Sequence, residues 1–267
     1  MNNLIQWPKA KYWTTQWNAV IGCKPYSPAC EHCYAAAWAK RFGQSFEPHL
    51  SSRARPPRKG VVFCGNMTDL FGEWMWPYKD SYIMKSPADL IAKCDSRDAT
   101  YLWLTKRVDR LDLELSVGEI PMMNEEGIVE CVRLSQFDLQ NHYFGFTAEN
   151  QEWFEKRIEK CIDIPDWVNL WLSLEPLLGA IDLYPIIRKD TQWSFKWVVV
   201  GCESGPNRRP CKIEWVESIV EQCRAAGVPV FVKQICLPNG KFTNKIEEFP
   251  AHLQIRQVPW ATKGENK

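Results

Sequence analysis

The sequence predicts an α/β protein built on a mostly parallel sheet, open or closed into a barrel. Short β-rich apolar runs recur along the chain, each followed by a polar turn and then, in most cases, a helix-like stretch. Most of these runs are continuous rather than alternating, as in parallel strands covered on both faces. A chain of 267 residues is long enough to bury a core without disulfides or metal to hold it folded.

The strands are expected at 17–22, 61–65, 101–105, 143–147, 170–174, 197–201 and 228–232. Helices are expected at 33–42, 80–92, 126–134, 151–161 and 213–226, the last closed by the stop signal Ala225-Ala226-Gly227 with Pro229 beyond it. The whole chain, 1–267, reads as one domain with a cysteine loop at about 17–35 and a C-terminal extension at about 235–267.

Composition narrows the class of protein. With 45% apolar and 24% charged residues the chain is neither disordered, collagen-like nor a coiled coil. Its 33 Lys and Arg nearly cancel 32 Asp and Glu, so whole-chain charge predicts no nucleic-acid or membrane partner, leaving only local basic patches. The start of the chain has no apolar signal core and no run approaches a membrane span, so a cytoplasmic protein is expected. Most of the 11 cysteines stand alone in apolar stretches and read as reduced core thiols.

Polar residues gather directly after the strands. Cys23 follows the first; Asn66, Thr68 and Asp69 the second; Lys106 and Arg107 the third; Glu149 and Asn150 the fourth; Glu175 the fifth; Glu203 and Ser204 the sixth; Lys233 and Gln234 the seventh. In a parallel barrel these positions share one rim, where active sites are built. Loops are polar in any case, so a single residue decides nothing; seven mixed clusters favour one shared site.

The sharpest local motif is Cys23, Cys30 and Cys33, with gaps of six and two residues and Tyr34 next. Three thiolates are one short of a closed four-cysteine site, and they fit a [4Fe–4S] cluster with one iron open to a ligand. Three other readings stand beside this one. A zinc site would need a fourth ligand from His32, Cys64 or Cys202; a thiol–disulfide site would use Cys30 and Cys33 alone; and the three thiols could be unrelated.

With this motif the sequence resembles the radical S-adenosylmethionine enzymes, whose first gap is usually three; some branches share the longer one. The blocks Asn66-Met67-Thr68-Asp69, Leu104-Thr105-Lys106-Arg107, Glu149-Asn150-Gln151, Glu175-Pro176-Leu177-Leu178-Gly179 and Gly201-Cys202-Glu203-Ser204-Gly205 resemble a phage-encoded family over nearly the whole chain. The resemblance implies a partial parallel (β/α)6-type barrel and an enzyme that cleaves S-adenosylmethionine reductively to abstract hydrogen from a substrate. It implies a [4Fe–4S] cluster on Cys23, Cys30 and Cys33, and S-adenosylmethionine held by His32, Tyr34, Asn66, Thr68, Asp69, Lys106, Arg107, Glu149 and Glu203. Glu175 and Lys233 are left for substrate binding or proton transfer, and an external electron donor is implied.

The substrate expectation is a modified or damaged nucleobase in DNA or a nucleotide. The phage resemblance implies hypermodification, such as rearrangement of an amino-acid-decorated thymidine, or repair. Arg53, Arg55, Arg58 and Lys59 form a Pro-bounded basic loop, and Trp7, Trp13, Trp17, Trp38, Trp74 and Trp76 offer aromatic faces. The alternatives are a non-enzymatic iron–sulfur or zinc nucleic-acid-binding protein, and the same chemistry on a small metabolite.

Overall fold

The computed structural model describes residues 5–52, 55–72, 86–117, 119–123, 129–161, 164–187, 195–205 and 207–260. Its strands are β1 (Ile5–Gln6), β2 (Thr15–Trp17), β3 (Val20–Ile21), β4 (His49–Leu50), β5 (Gly60–Cys64), β6 (Ala99–Thr105), β7 (Glu119–Met123), β8 (Val129–Arg133), β9 (His142–Thr147), β10 (Asn169–Leu174), β11 (Phe195–Gly201), β12 (Val230–Cys236), β13 (Phe242–Thr243) and β14 (Gln257–Val258). The helices are α1 (Tyr34–Arg41), α2 (Pro87–Lys93), α3 (Val108–Val117), α4 (Gln151–Ile158), α5 (Tyr184–Ile187) and α6 (Ile213–Ala226).

The central sheet has eight strands in the order β13-β12-β11-β10-β9-β6-β5-β2. Its seven strands from β2 to β12 are all parallel and lie side by side in their chain order; only β13 is antiparallel. All seven C-terminal ends therefore fall on one edge, and the residues after each strand meet there, as the apolar runs predicted. The C-terminal segment returns through β14, which pairs with β1. Among the described residues no helix is long and apolar enough to cross a membrane.

One face of the sheet packs under the helices: Val62, Tyr101, Phe144, Leu172, Val198 and Val232 join Leu90, Leu111, Phe154, Val216 and Ile219 in the larger core. The other face carries a second, aromatic core. There the Tyr12 ring lies 6.0 Å from Phe63 on β5, 5.9 Å from Trp171 on β10, 5.0 Å from Trp197 on β11 and 5.5 Å from Phe231 on β12. In a flat sheet, strands five places apart, as β5 and β12 are, lie roughly 24 Å from one another. A single ring touching both requires the sheet to curl around Tyr12.

The curl stops short of closure, because no ladder joins β2 to β13 among the described residues. The expected α/β fold with a mainly parallel sheet is present as a curled, open sheet of eight strands, and no closed barrel forms among the described residues. Two elements also differ. The expected strand 17–22 divides into β2 and β3, the latter pairing antiparallel with β4. The expected helix 126–134 falls partly outside the described residues and otherwise contains β8, paired with β7 as an antiparallel hairpin, and the start of a 3₁₀ turn at Leu134–Gln136. Short apolar runs do not by periodicity separate strand from helix, and β-branched Val129 and Val132 favour the strand. Helix 80–92 also lies partly outside the described residues; α2 covers its end, opened by a Ser86–Asp89 capping box.

Gly145 on β9 shows how tightly the aromatic face is packed. A Cβ there would stand 2.4 to 2.6 Å from the Trp171 indole. That ring cannot swing away freely, because its Nε1–H donates to the carbonyls of Trp103 (3.1 Å) and Tyr143 (3.2 Å). Gly145→Ala is therefore expected to cost about 1–3 kcal/mol of stability in urea denaturation, the usual penalty of overpacking; an unchanged midpoint would contradict this packing.

Candidate functional site

A cavity of about 480 Å³ opens at the C-terminal edge of the curled sheet, within the size range of small-molecule sites. Its floor is the top of the aromatic core (Tyr12, Trp13 and Phe63), and its walls are the residues after the parallel strands. Cys23, Cys30 and Cys33 all line it, half-buried and free of disulfides. Cys23 follows β3, Cys30 ends a 3₁₀ turn at Pro28–Cys30, and Cys33 is the N-cap of α1. Burial, with the nearby Asp69 charge adding to it, pushes the Cys23 thiol up to about 11. At neutral pH it holds its proton, so a bound metal would have to displace that proton.

The loop bearing these thiols is fastened from every side. Gly22, at φ 96, passes so close to residue 47 that a Cβ would lie 2.4 Å from the Glu47 carbonyl oxygen. The Thr68 hydroxyl donates to the Gly22 carbonyl at 2.6 Å. Asp69, buried, accepts from the Thr105 hydroxyl (2.7 Å), the Lys106 N–H (3.0 Å) and Arg107 Nη1 (3.0 Å), while Arg107 Nη2 donates onward to the Lys24 carbonyl at 3.1 Å. Arg107 also covers the Tyr26 ring at 4.7 Å. Glu149 accepts from the Ala29 N–H at 3.3 Å and pairs with Arg157 at 2.6 Å.

On the far side Glu203, 4% exposed, pairs with His32 Nδ1 at 2.9 Å and accepts from the Arg209 backbone N–H (2.8 Å) and Nε (3.1 Å). Arg209 Nη1 in turn donates to the Pro28 carbonyl (2.9 Å) and Glu31 (3.1 Å). Burial alone would raise the Glu203 carboxyl, but the Arg209 donors outweigh it and hold the group below the usual carboxylate range. The Tyr34 hydroxyl donates to the Asn66 carbonyl, and the Asn66 side chain accepts from Asn18 at 2.8 Å.

The structure thus brings together nearly all the predicted site residues but gives many of them another task. His32, Tyr34, Asn66, Thr68, Asp69, Lys106, Arg107, Glu175, Glu203 and Lys233 line the cavity with the three cysteines. Thr68, Asp69, Arg107 and Glu203 direct the hydrogen bonds just described at the loop or the groups that hold it. Glu149 is not among the cavity-lining residues; its carboxylate is buried with Arg157 behind the loop. Lys106 is half-buried in the wall, and its ammonium has no acidic partner among the described residues. Glu175 and Lys233 pair at 2.7 Å, with the Tyr12 hydroxyl 3.4 Å from the same carboxylate and the Lys233 ammonium 5.5 Å from both the Tyr12 and Trp13 ring centres.

Tyr12 and Arg209 escaped the sequence reading. Arg209 had a signal in the basic pair Arg208-Arg209 shortly after Glu203; Tyr12 had none. The basic loop lies elsewhere. Arg58 and Lys59 precede β5, at the end of the sheet opposite the cavity, and Arg58 pairs with Asp95 at 2.9 Å. Arg55 is exposed, while Arg53, Trp74 and Trp76 lie outside the described residues. Trp7 and Trp17 are core, Trp13 stacks on Phe63 at 5.0 Å in the cavity, and Trp38 is exposed on α1.

Fold and site together define an α/β protein with a strand-end cavity walled on one side by three free thiols. The chain belongs to the DUF5131 family, described as a protein of unknown function, whose model matches residues 5–249. No curated protein and no solved structure matches it. The expected membership of the radical S-adenosylmethionine superfamily, and of a phage-encoded group with it, is corrected by this result. The matching family is DUF5131, no radical S-adenosylmethionine family matches, and no trio of His, Cys, Asp or Glu among the described residues is placed to hold a metal ion.

Two consequences can be measured. Asp69→Ala leaves the Arg107 charge buried without its carboxylate, which is expected to cost about 3–5 kcal/mol in urea denaturation and to speed thiol labelling of Cys23; unchanged labelling would mean the pair does not hold the loop. Because the folded Glu203 carboxyl is depressed, its contribution is present above the ordinary Glu value of about 4.3 and is lost as pH falls through the lower folded value. Glu203→Gln should be less stable than the parent at neutral pH and lose less stability on acidification.

Proposed function

We propose that the cavity is the active site of an iron–sulfur enzyme in which Cys23, Cys30 and Cys33 hold three irons of a [4Fe–4S] cluster and S-adenosylmethionine occupies the fourth. This rests on the chain's own residues and not on membership of any superfamily. The observation that carries it is the donor set: three free, half-buried thiols on one loop, all facing a single cavity of about 480 Å³. The fourth thiol in the wall, Cys202, is buried at the end of β11 and off the loop, and His32 is engaged with Glu203, so the loop offers three ligands and leaves room for a fourth. Each thiolate of such a cluster meets a different iron, so the sulfurs need not converge on one point as ligands of a single ion must. The absence of a converging trio among the described residues disfavours zinc on the same ground.

Bound in this place, the two groups would supply one-electron cleavage of the sulfonium, with the electron from an external donor. The chain's contribution is position and exclusion of water. Lys106 offers its ammonium to the ligand's carboxylate as a charge-assisted contact. The loop clamps through Arg107 and Arg209 keep the thiols in place, and the aromatic floor keeps the lower cavity dry. Glu175 and Lys233, already sharing a proton-bearing contact at 2.7 Å, are the acid and base nearest the substrate space. Trp13 in the floor suits a planar substrate such as a nucleobase; Arg58 and Lys59, at the other end of the sheet, do not contribute to holding it here.

The test is oxygen-free reconstitution with iron and sulfide, reduction, and assay of S-adenosylmethionine for 5′-deoxyadenosine. About four irons per chain are expected, with cleavage that disappears in Cys30→Ala. Lys106→Met should keep its iron yet bind S-adenosylmethionine about 10-fold more weakly, the loss of one charged hydrogen bond. Stoichiometric zinc, or a cluster that never cleaves the ligand, would overturn the reading.

A further inference from the structure

Helix α1 turns its large rings outward. It buries Ala35 and Ala39, while Tyr34, Trp38 and Phe42 stand 55%, 45% and 56% exposed. An amphipathic helix ordinarily buries its aromatic side chains and leaves small or polar ones outside. The three rings recur at every fourth position, with Tyr34 opening the helix, Trp38 one turn on and Phe42 at the C-cap. That spacing sets them in one stripe on one face, with about 6 Å of rise per step.

The stripe belongs to a wider patch. Among the described residues seven large apolar or aromatic side chains are exposed, and five of them lie between Tyr26 and Leu50. The exposed rings are thus concentrated on the cysteine loop and the segment that follows it. The inner end of the stripe is the cavity, which Tyr34 lines beside Cys33, its hydroxyl anchored on the Asn66 carbonyl. The outer end is an aromatic pair, Trp38 and Phe42, with ring centres 4.8 Å apart.

Charge indicates what covers these rings. From His32 to Phe46 the chain carries Lys40 and Arg41 and no acid; Glu31, just before, pairs with Arg209 at 3.1 Å. Both cations are exposed, and Arg41 lies over the Phe42 ring at 5.7 Å. Rings in a row with cations beside them match unpaired bases on a phosphate backbone, since every base has a face to stack and Lys and Arg take phosphates. A second copy of the chain would set like charges against each other here. The regular repeat of rings also suits a repeating ligand better than the irregular surface of a folded protein. Apart from Tyr34, whose hydroxyl is already engaged, α1 has no hydroxyl, amide or carboxylate to meet a 2′-hydroxyl, which favours DNA over RNA.

We propose that α1 is a docking strip for single-stranded DNA. Bases stack on Trp38 and Phe42, phosphates lie on Lys40 and Arg41, and one unpaired base passes Tyr34 into the cavity. This deepens the proposed function by naming the form in which a nucleobase arrives. It rests on that reading only for the fate of the base inside the cavity, because the strip itself needs no cluster.

The experiment titrates the metal-free full chain into a short fluorescein-labelled oligothymidylate and follows anisotropy over a series of salt concentrations. Trp38→Ala with Phe42→Ala should weaken binding at least about 10-fold, through lost base stacking, whereas Trp38→Phe, which keeps a ring, should retain it. Lys40→Ala with Arg41→Ala should lower the slope of log affinity against log salt by about 1.4, two single-strand phosphate contacts at about 0.7 each. Arg58→Ala with Lys59→Ala, at the opposite end of the sheet, should change neither. All the substituted α1 side chains are exposed, so the fold should survive, which circular dichroism checks. No binding by the parent, a double ring variant that binds as the parent does, tighter binding of duplex or RNA, or parent dimers that the ring variant abolishes would overturn the proposal. The assay contains no iron and no S-adenosylmethionine, so a failed cluster leaves its result standing, and failure here leaves the cleavage assay to its own outcome.

Discussion

The packing of the Tyr12 ring against β5, β10, β11 and β12 at once is the constraint from which the site follows. A sheet of large aromatic and β-branched residues must cover two faces. Helices cover one, and the chain has no second helical layer among its described residues for the other. It fills the concave side with Trp7, Tyr12, Trp171, Trp197, Phe231 and Trp260. Rings of this size bury about 150–250 Å² each and prefer edge-to-face contacts, which the Tyr12 angles of 74 to 86° to these strand rings realise. The aromatic plug ends where the strands end. Above it the curl leaves a polar mouth, and the unusual abundance of Trp is in part explained by the volume beneath it.

Around that mouth, buried acids and bases organise the cysteine loop. Asp69 with Arg107, Glu149 with Arg157 and Glu203 with Arg209 are ion pairs in which at least one partner also binds loop backbone: Arg107 at Lys24, Glu149 at Ala29, Arg209 at Pro28. Such pairs contribute little net stability relative to apolar packing, but losing one partner is costly, so they fix a geometry more than they deepen a fold. Lys106 and the Glu175–Lys233 pair are cavity charges not committed to this task, and they are the ones assigned to ligands.

The parallel sheet and its shared rim were legible in the sequence because both follow from local pattern: continuous apolar runs, then polar residues. The curl was not, since it depends on how one Tyr near the N-terminus fits against four distant strands. Nor was the division of labour at the rim. Asp69 and Arg107 stand 38 positions apart and Glu149 and Ala29 120 apart, and neither spacing distinguishes a residue that holds a loop from one that holds a ligand. The Cys23, Cys30, Cys33 spacing located the three thiols in one cavity wall, while the superfamily drawn from it was wrong.

A cluster held by the three-thiol loop with one iron open to S-adenosylmethionine, as proposed, has a direct spectroscopic signature. Electron paramagnetic resonance of the reconstituted, reduced protein with and without S-adenosylmethionine tests this most directly. The expected result is the signal of a reduced [4Fe–4S] cluster that changes when S-adenosylmethionine is added and is missing from Cys30→Ala. A signal indifferent to S-adenosylmethionine, or none at all in a protein carrying its full iron, would contradict it.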